Sequence, residues 1–289
     1  MKQLISIYII FSLCSHTLFA QQSPLYSLYM FNDFAINPAV AGTQKFNRAQ
    51  LNNRYQFVGI ENAPITASLS VFGGSASSPM GWGAMVYNDS QAAISKFGAY
   101  AAYAYHISIQ KGLDLSFGLN AGLIQYTVDL TKIKFLEEEP YLDATKYNYI
   151  RPDGTIGAYL YSKDYYAGVS ADQLFNNKLE MISDTIVVDN ATLNRLKSHI
   201  IITGGYKYKL SYGFELEPNV VIRKTPKSPF QIEATARVGY KKAAWAGLSV
   251  RSNAYAINFQ ADPNDPLKMQ AVQLSLFRFV PAITYNFRF

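Results

Sequence analysis

Apolar and polar residues alternate with a period of two along most of this chain. From Arg48 to Phe57, Ala49, Leu51, Tyr55 and Phe57 share one face, while Arg48, Gln50, Asn52, Arg54 and Gln56 share the other. Leu113 to Leu123 repeats the pattern, with Leu115, Phe117 and Leu119 set against Ser116, Gly118 and Asn120. Phe230 to Tyr240 does so again, with Ile232, Ala234 and Val238 set against Gln231, Glu233, Thr235, Arg237 and Gly239. Period two is the signature of a strand with unlike faces. These runs exceed the five or six residues usual in soluble sheets and match the nine to eleven that a tilted strand needs to cross a bilayer.

Shorter alternations predict further strands at Ile65–Phe72, Trp82–Asn88, Phe97–Ile107, Ile156–Tyr161, Tyr165–Asp172 and Ser198–Leu210. Others fall at Gly213–Arg223, Ala244–Arg251, Tyr255–Ala261, Val272–Phe279 and Ile283–Phe289. Turn residues punctuate them, as at Gly73-Gly74-Ser75, Asn88-Asp89-Ser90 and Lys111-Gly112. Two longer stretches, roughly Asp129–Asp153 and Asn176–Lys197, read as loops. The expected fold is all-β, a transmembrane antiparallel up-and-down barrel of about 14 strands. Three arguments favour a lipid-embedded ring over a soluble sandwich. Strands in lipid must satisfy every backbone group, which closure achieves. Tyr and Phe recur near strand ends, as in interfacial girdles. The opposite faces are rich in Gly, Ser, Asn and Gln.

Composition sharpens this reading. Hydrophobic residues make up 49% of the 289 and charged residues 16%, below the roughly 25% of ordinary soluble domains. Past the first residues no run is long and apolar enough for a membrane helix. Lys2, the apolar stretch Leu4–Leu13 and Leu18-Phe19-Ala20 read as an export signal over residues 1–20. That leaves 21–46 as an N-terminal periplasmic or lumenal segment and 47–289 as the barrel, placed in the outer membrane. Cys14 is the single cysteine and falls inside the signal, without the small preceding residue that lipidation requires. A mature chain without a thiol has no disulfide, thiolate metal site or cysteine nucleophile. The net charge of +6 comes without Lys/Arg blocks, so no nucleic-acid partner is expected.

The polar faces hold the candidate site chemistry. Glu215, Glu217 and Arg223 fall on one expected strand, Glu233 and Arg237 on the next, and Arg48 and Arg54 on the first. All seven are expected to face the lumen. An antiparallel register about the Thr225–Ser228 turn would set Glu217 near Arg237. Mixed charge fits an interior bridged by ion pairs, hence an occluded lumen, and equally fits ordinary wall charges facing water. Catalysis finds little support. His106-Ile107-Ser108 places a base and a hydroxyl on one strand face, but that face points inward and lacks a third orienting group. Glu137-Glu138-Glu139 and the Asp262–Asp265 turn lack the ligand spacing of a dedicated metal site. No cofactor is expected.

Several segments resemble a known family. Tyr26-Ser27-Leu28-Tyr29-Met30-Phe31-Asn32 and Ile36-Asn37-Pro38-Ala39-Val40-Ala41-Gly42 look like the opening of the PorP/SprF outer-membrane proteins of Bacteroidetes. There, a Tyr-Met-Phe-Asn run precedes Asn-Pro-Ala-x-Ala-Gly. Arg54-Tyr55-Gln56-Phe57-Val58-Gly59 and Ala63-Pro64-Ile65-Thr66 resemble two further family segments, as do Leu174–Leu179, Pro218-Asn219-Val220 and Trp245–Arg251. The likeness spans about residues 24–258. Residues 259–289 lack the Tyr-Asp-Tyr strand and Gly-x-His-Glu segment with which such proteins usually end.

The resemblance implies a non-enzymatic outer-membrane component of type IX secretion and gliding motility. Such a component assists the secretion or surface attachment of a large adhesin and touches the secretion machinery on the periplasmic side. Its expected partners are therefore outer-membrane lipid, that machinery and the adhesin. Tyr29, Met30, Phe31, Asn32, Asn37 and Pro38 are the candidate partner-binding residues, and the 21–46 segment is expected to be ordered against the barrel. The alternative is a passive porin or small-solute transporter on the same fold.

Overall fold

A computed structural model of the chain describes residues 32–44, 46–56, 59–60, 62–75, 77–132, 146–177, 196–226, 230–240, 244–251, 254–260, 271–275 and 278–288. Those residues are mostly β strand, joined by turns, irregular connections and short 3₁₀ segments. The strands are β1 (Arg48–Tyr55), β2 (Ile65–Gly74), β3 (Met80–Gln91), β4 (Ile94–Gln110), β5 (Leu113–Asp129), β6 (Lys146–Ser162), β7 (Tyr165–Asp172) and β8 (His199–Tyr206). They continue with β9 (Tyr208–Lys209), β10 (Phe214–Lys224), β11 (Gln231–Tyr240), β12 (Ala244–Arg251), β13 (Ala254–Gln260), β14 (Ala271–Ser275) and β15 (Arg278–Arg288).

Every pairing is antiparallel and, apart from β8 with β10 past the two-residue β9 and β1 with β15, joins consecutive strands, as in an up-and-down barrel. β1 pairs with β2 on one side and with β15 on the other, Arg48 lying opposite Arg288. β10 pairs with both β8 and β11, so the run of pairings returns to its start. Such an arrangement meets the backbone's demand for partners without water, as lipid requires. The end where β1 begins and β15 finishes is termed the near rim. The two longest connections between described strands, 130–145 and 173–198, fall at the opposite, far rim.

Two prolines explain local departures from regular pairing. Phe214 O accepts from Leu210 N, so even-numbered residues of β10 turn their backbone groups toward β8 and β9. Pro218 lies on that side without an N–H, and the ladder skips it, passing from Asn219↔Gly205 on β8 to Leu216↔Tyr208 on β9. On β6, Pro152 O points away from β5 and accepts from Asn177 Nδ2 at 2.6 Å. The missing donor of Pro152 therefore costs no bond to β5.

The alternating faces carry opposite burial. Phe117, Leu119 and Leu123 of β5 are 50–55% exposed, whereas Ser116 is fully buried and Asn120 nearly so. The same inversion holds on β11, where Ile232 is half-exposed and Gln231, Glu233 and Thr235 are buried. Apolar side chains outside and polar ones within is the reverse of a soluble domain and the ordinary state of a barrel in lipid. No helix among the described residues is long and apolar enough to cross a membrane, which has no bearing on strands.

Two readings of the chain are corrected. The predicted loop Asp129–Asp153 is too long, because β6 already starts at Lys146 and β5 runs on to Asp129. Pro152, Arg151 and Asp153 broke the apolar rhythm there, yet the register continues unbroken from Leu123↔Pro152 to Asp129↔Lys146. The predicted strand Val272–Phe279 is two, since Ser275 ends β14 and Phe279 belongs to β15, paired with Leu274. Both halves are apolar, so periodicity alone did not reveal the turn.

Candidate functional site

The interior at the near rim is filled by the chain's own residues 32–44. Pro38, Ala39 and Val40 form one 3₁₀ turn and Asp33–Ala35 another. Pro at the first helical position supplies a preset φ and needs no N–H partner. Asn37 caps the Pro38–Val40 turn by accepting from Ala39 N at 3.0 Å. Its Nδ2 donates to two strand carbonyls, Ala158 O at 3.1 Å and Val169 O at 3.3 Å. One side chain thus terminates the turn and ties it to β6 and β7.

Other wall groups hold the rest of the segment. Asn32 Nδ2 donates to Ser70 Oγ at 2.9 Å, and Ser170 Oγ donates to Ile36 O at 2.6 Å. His106 Nε2 lies 2.8 Å from Ala41 O while Nδ1 meets Tyr161 OH at 2.9 Å. With Nε2 protonated, His106 donates to Ala41 O and accepts from Tyr161, so both ring nitrogens are used. Phe34 stacks on Phe72 at 4.6 Å, and Ile36 packs on the buried Ile201 and Val221.

Inward-facing glycines allow this approach. A Cβ on Gly118 of β5 would lie 2.2 Å from Ala39 N and 2.5 Å from Pro38 C. On Gly81 of β3 it would meet Ala41 O at 2.0 Å, on Gly157 of β6 Asn37 Oδ1 at 2.1 Å, and on Gly74 of β2 Gly42 Cα at 2.7 Å. Gly83 makes similar room for the Phe34 ring. Backbone therefore lies directly on backbone across β2, β3 and β5, and on β6 the Asn37 side chain takes that place, at distances where real Cβ atoms do not fit. Gly42 itself has φ +84°, a left-handed conformation natural to glycine.

The expected lumen charges divide into groups. Glu217 lies opposite Arg237 in the β10–β11 register and accepts from its Nη2, while Tyr166 OH donates to Glu217 Oε1 at 3.4 Å. Arg223 and Glu233 pair at 3.4 Å with both side chains almost fully buried. Glu215 is half-buried, opposite Gly239 and Lys209. Arg48 and Arg54 sit apart from these, at the two ends of β1. Arg48 lies 5.7 Å from the rings of Phe46 and Phe72 and donates to Gln44 Oε1. Toward the far rim Tyr100 OH donates to Asp153 at 2.9 Å and stacks on Tyr87.

Asp33 is the ionisable group of the inserted segment. Burial pushes its carboxyl above the ordinary carboxylate range, against the pull of Arg48, Lys207 and the Phe34 N–H. Glu217 adds to the upward push.

Of the candidate partner-binding residues, Asn32, Asn37 and Pro38 are buried in the lumen, and Tyr29, Met30 and Phe31 lie outside the described residues. Glu137–Glu139 and Asp262–Asp265 also lie outside them. The His106-x-Ser108 pair has its imidazole committed to Ala41 and Tyr161. Sequence reasoning missed His106 as an anchor and missed the glycine floor, reading Gly73-Gly74 as part of a turn although both end β2. The available signal was small residues recurring on the inward face: Gly81 and Gly83, Gly118, Gly157.

Together these features define a membrane β-barrel whose lumen holds an N-terminal insert. Residues 18–265 match the type IX secretion system membrane proteins PorP/SprF, and the chain belongs to that family. The family is one of secretion-system membrane proteins, not of enzymes, and ties the chain to the secretion machinery. No curated protein matches it. Among solved structures, similarity extends to the KdgM porin, at 8% identity and TM-score 0.41 over 83% of this chain and 99% of that one. A variant of the Rh. blastica porin shows 9% identity and TM-score 0.34 over 84% and 99%. The barrel assignment rests on the strand pairings and not on these distant likenesses.

Proposed function

We propose that this protein is a non-enzymatic outer-membrane barrel of type IX secretion that assists the secretion or surface attachment of a large adhesin, with gliding motility as the process served. The seating of residues 37–42 on the glycine floor carries the reading. An interior packed backbone-on-backbone and bridged by Glu217–Arg237 and Arg223–Glu233 supports a rigid, occluded scaffold in preference to a solute pore. In this reading the near rim faces the periplasm, since short turns lie on that side of outer-membrane barrels and long loops outside. Residues 32–44 then fill the lumen at its periplasmic mouth, where the secretion machinery docks, and lipid surrounds the wall.

Deletion of the gene, with mass-spectrometric comparison of surface proteins, tests this role. Selective loss of one large adhesin with other exported proteins intact is the expected result. Intact adhesin display with impaired solute uptake, together with steady large currents through the purified protein in a planar bilayer, would replace the proposal by the porin reading.

A further inference from the structure

Parts of the motif segments around 54–66 meet at the far rim. There a cavity of about 420 Å³ is lined by Tyr55, Gln56, Asn62, Ile65, Ser90 and Lys132. Tyr55, Ile65 and Ser90 lie in register across β1, β2 and β3. Tyr55 and Ile65 turn away from the lumen and are about 40% exposed. Toward the near rim the same outer wall continues through the paired, exposed Leu69 and Val86. The cavity thus has an apolar floor leading into the lipid-facing wall. Its rim offers an amide on Gln56, another on Asn62, the Ser90 hydroxyl and the exposed Lys132 ammonium.

The backbone around it is held in unusual conformations. Asn62 has φ +57° and Ala92 φ +50°, and Ala92 N donates to Asn62 O at 3.1 Å. Ala92 occupies a left-handed position in the two-residue β3–β4 turn, where glycine is the natural choice. Strain of this kind persists where surroundings over-determine it and clusters at binding sites. Nearby Asp129 Oδ1 accepts from the Thr131 amide at 3.2 Å and from the Thr131 hydroxyl, and its charge is also felt by Lys132 and Lys146.

We propose that this far-rim cavity binds an acylated amphiphile with a phosphate-bearing headgroup from the outer leaflet. Its chains lie along Ile65, Leu69 and Val86, and its phosphate meets Lys132 with the Asn62 amide and Ser90 hydroxyl beside it. The order of chemistry, apolar toward the membrane and cationic at the rim, fits a lipid better than an extended peptide, which has no need of the lipid-facing wall. The proposal rests on the sidedness given above, with the far rim outside.

The test uses the purified full chain in detergent and native mass spectrometry with three probes: phosphorylated lipid A, its dephosphorylated counterpart, and inorganic phosphate alone. Retention of the phosphorylated lipid is expected, about tenfold weaker in K132A and restored in K132R, with neither other probe retained. Equal retention of both lipids, an unchanged K132A, or phosphate held as tightly as the lipid would overturn it. Displacement of the bound lipid by an adhesin-derived peptide would reassign the cavity to the client. A separate readout, maleimide labelling of T131C on intact cells, reports sidedness. Labelling only after the outer membrane is opened would sink the orientation while leaving the lipid measurement to stand or fall alone.

Discussion

Replacing Gly118 by alanine adds one methyl group where the floor is tightest. The new Cβ would sit 2.2 Å from Ala39 N, 2.5 Å from Ala39 Cα and 2.5 Å from Pro38 C. All three are backbone atoms, so no flexible side-chain tip can swing aside. Either β5 bends, against its ladders to β4 and β6, or the inserted segment lifts. Overpacking costs typically about 1–3 kcal/mol, and a clash with backbone on both sides belongs at the upper end. If about 3 kcal/mol falls on the seated state, the ratio of seated to unseated segment drops roughly a hundredfold. The assay is the maleimide labelling rate of V40C, a buried position of the segment itself, in purified protein with and without G118A. The barrel itself should keep its heat-modifiable mobility on gels. G204A serves as the control, since a Cβ there has only Tyr166 O at 3.7 Å, an ordinary contact. Labelling within about twofold of the parent in G118A would show that the floor does not hold the insert.

Three further outcomes are expected. Asn37→Ala removes the cap on Ala39 and both bonds to strand carbonyls, a loss of about 2–3 kcal/mol in segment seating, read by the same V40C labelling. Glu233→Gln removes the carboxylate that pairs with the buried Arg223 and should lower barrel stability by about 3–5 kcal/mol. The double replacement R223M/E233L should recover most of that, as midpoints of thermal unfolding in detergent will show. Asp33 has a raised carboxyl pKa in the folded state, so the folded state binds its proton more tightly than the unfolded chain does. Its contribution is therefore greatest below the ordinary carboxylate range and is lost as pH rises through the raised value. Once normalised to a free thiol's rate at each pH, V40C labelling should accelerate across that rise in the parent and stay flat in D33N.

How far the chain could be read from its residues varied from element to element. β11 was legible because Ile232 to Val238 alternate cleanly with Gln231 to Arg237, and no proline or glycine interrupts them. The pairing of Glu217 with Arg237 followed from counting residues back from the turn, since antiparallel register is arithmetic once the turn is placed. The beginning of β6 was not legible. Whether Pro152 interrupts a strand depends on which neighbour its nitrogen faces, and a single chain does not display its neighbours. His106 was visible as an inward side chain, but its acceptor is Ala41, 65 positions away.

Local order along this chain determined the β class, the two unlike faces and the membrane setting, because strand alternation and the sorting of apolar from polar groups are nearest-neighbour properties. Closure through Arg48↔Arg288, the filling of the lumen and the meaning of the inward glycines were decided only in three dimensions. A glycine is conspicuous in sequence as a missing side chain. What fills the missing volume is set by whichever distant backbone arrives there, and in this protein it is the Asn37–Gly42 segment.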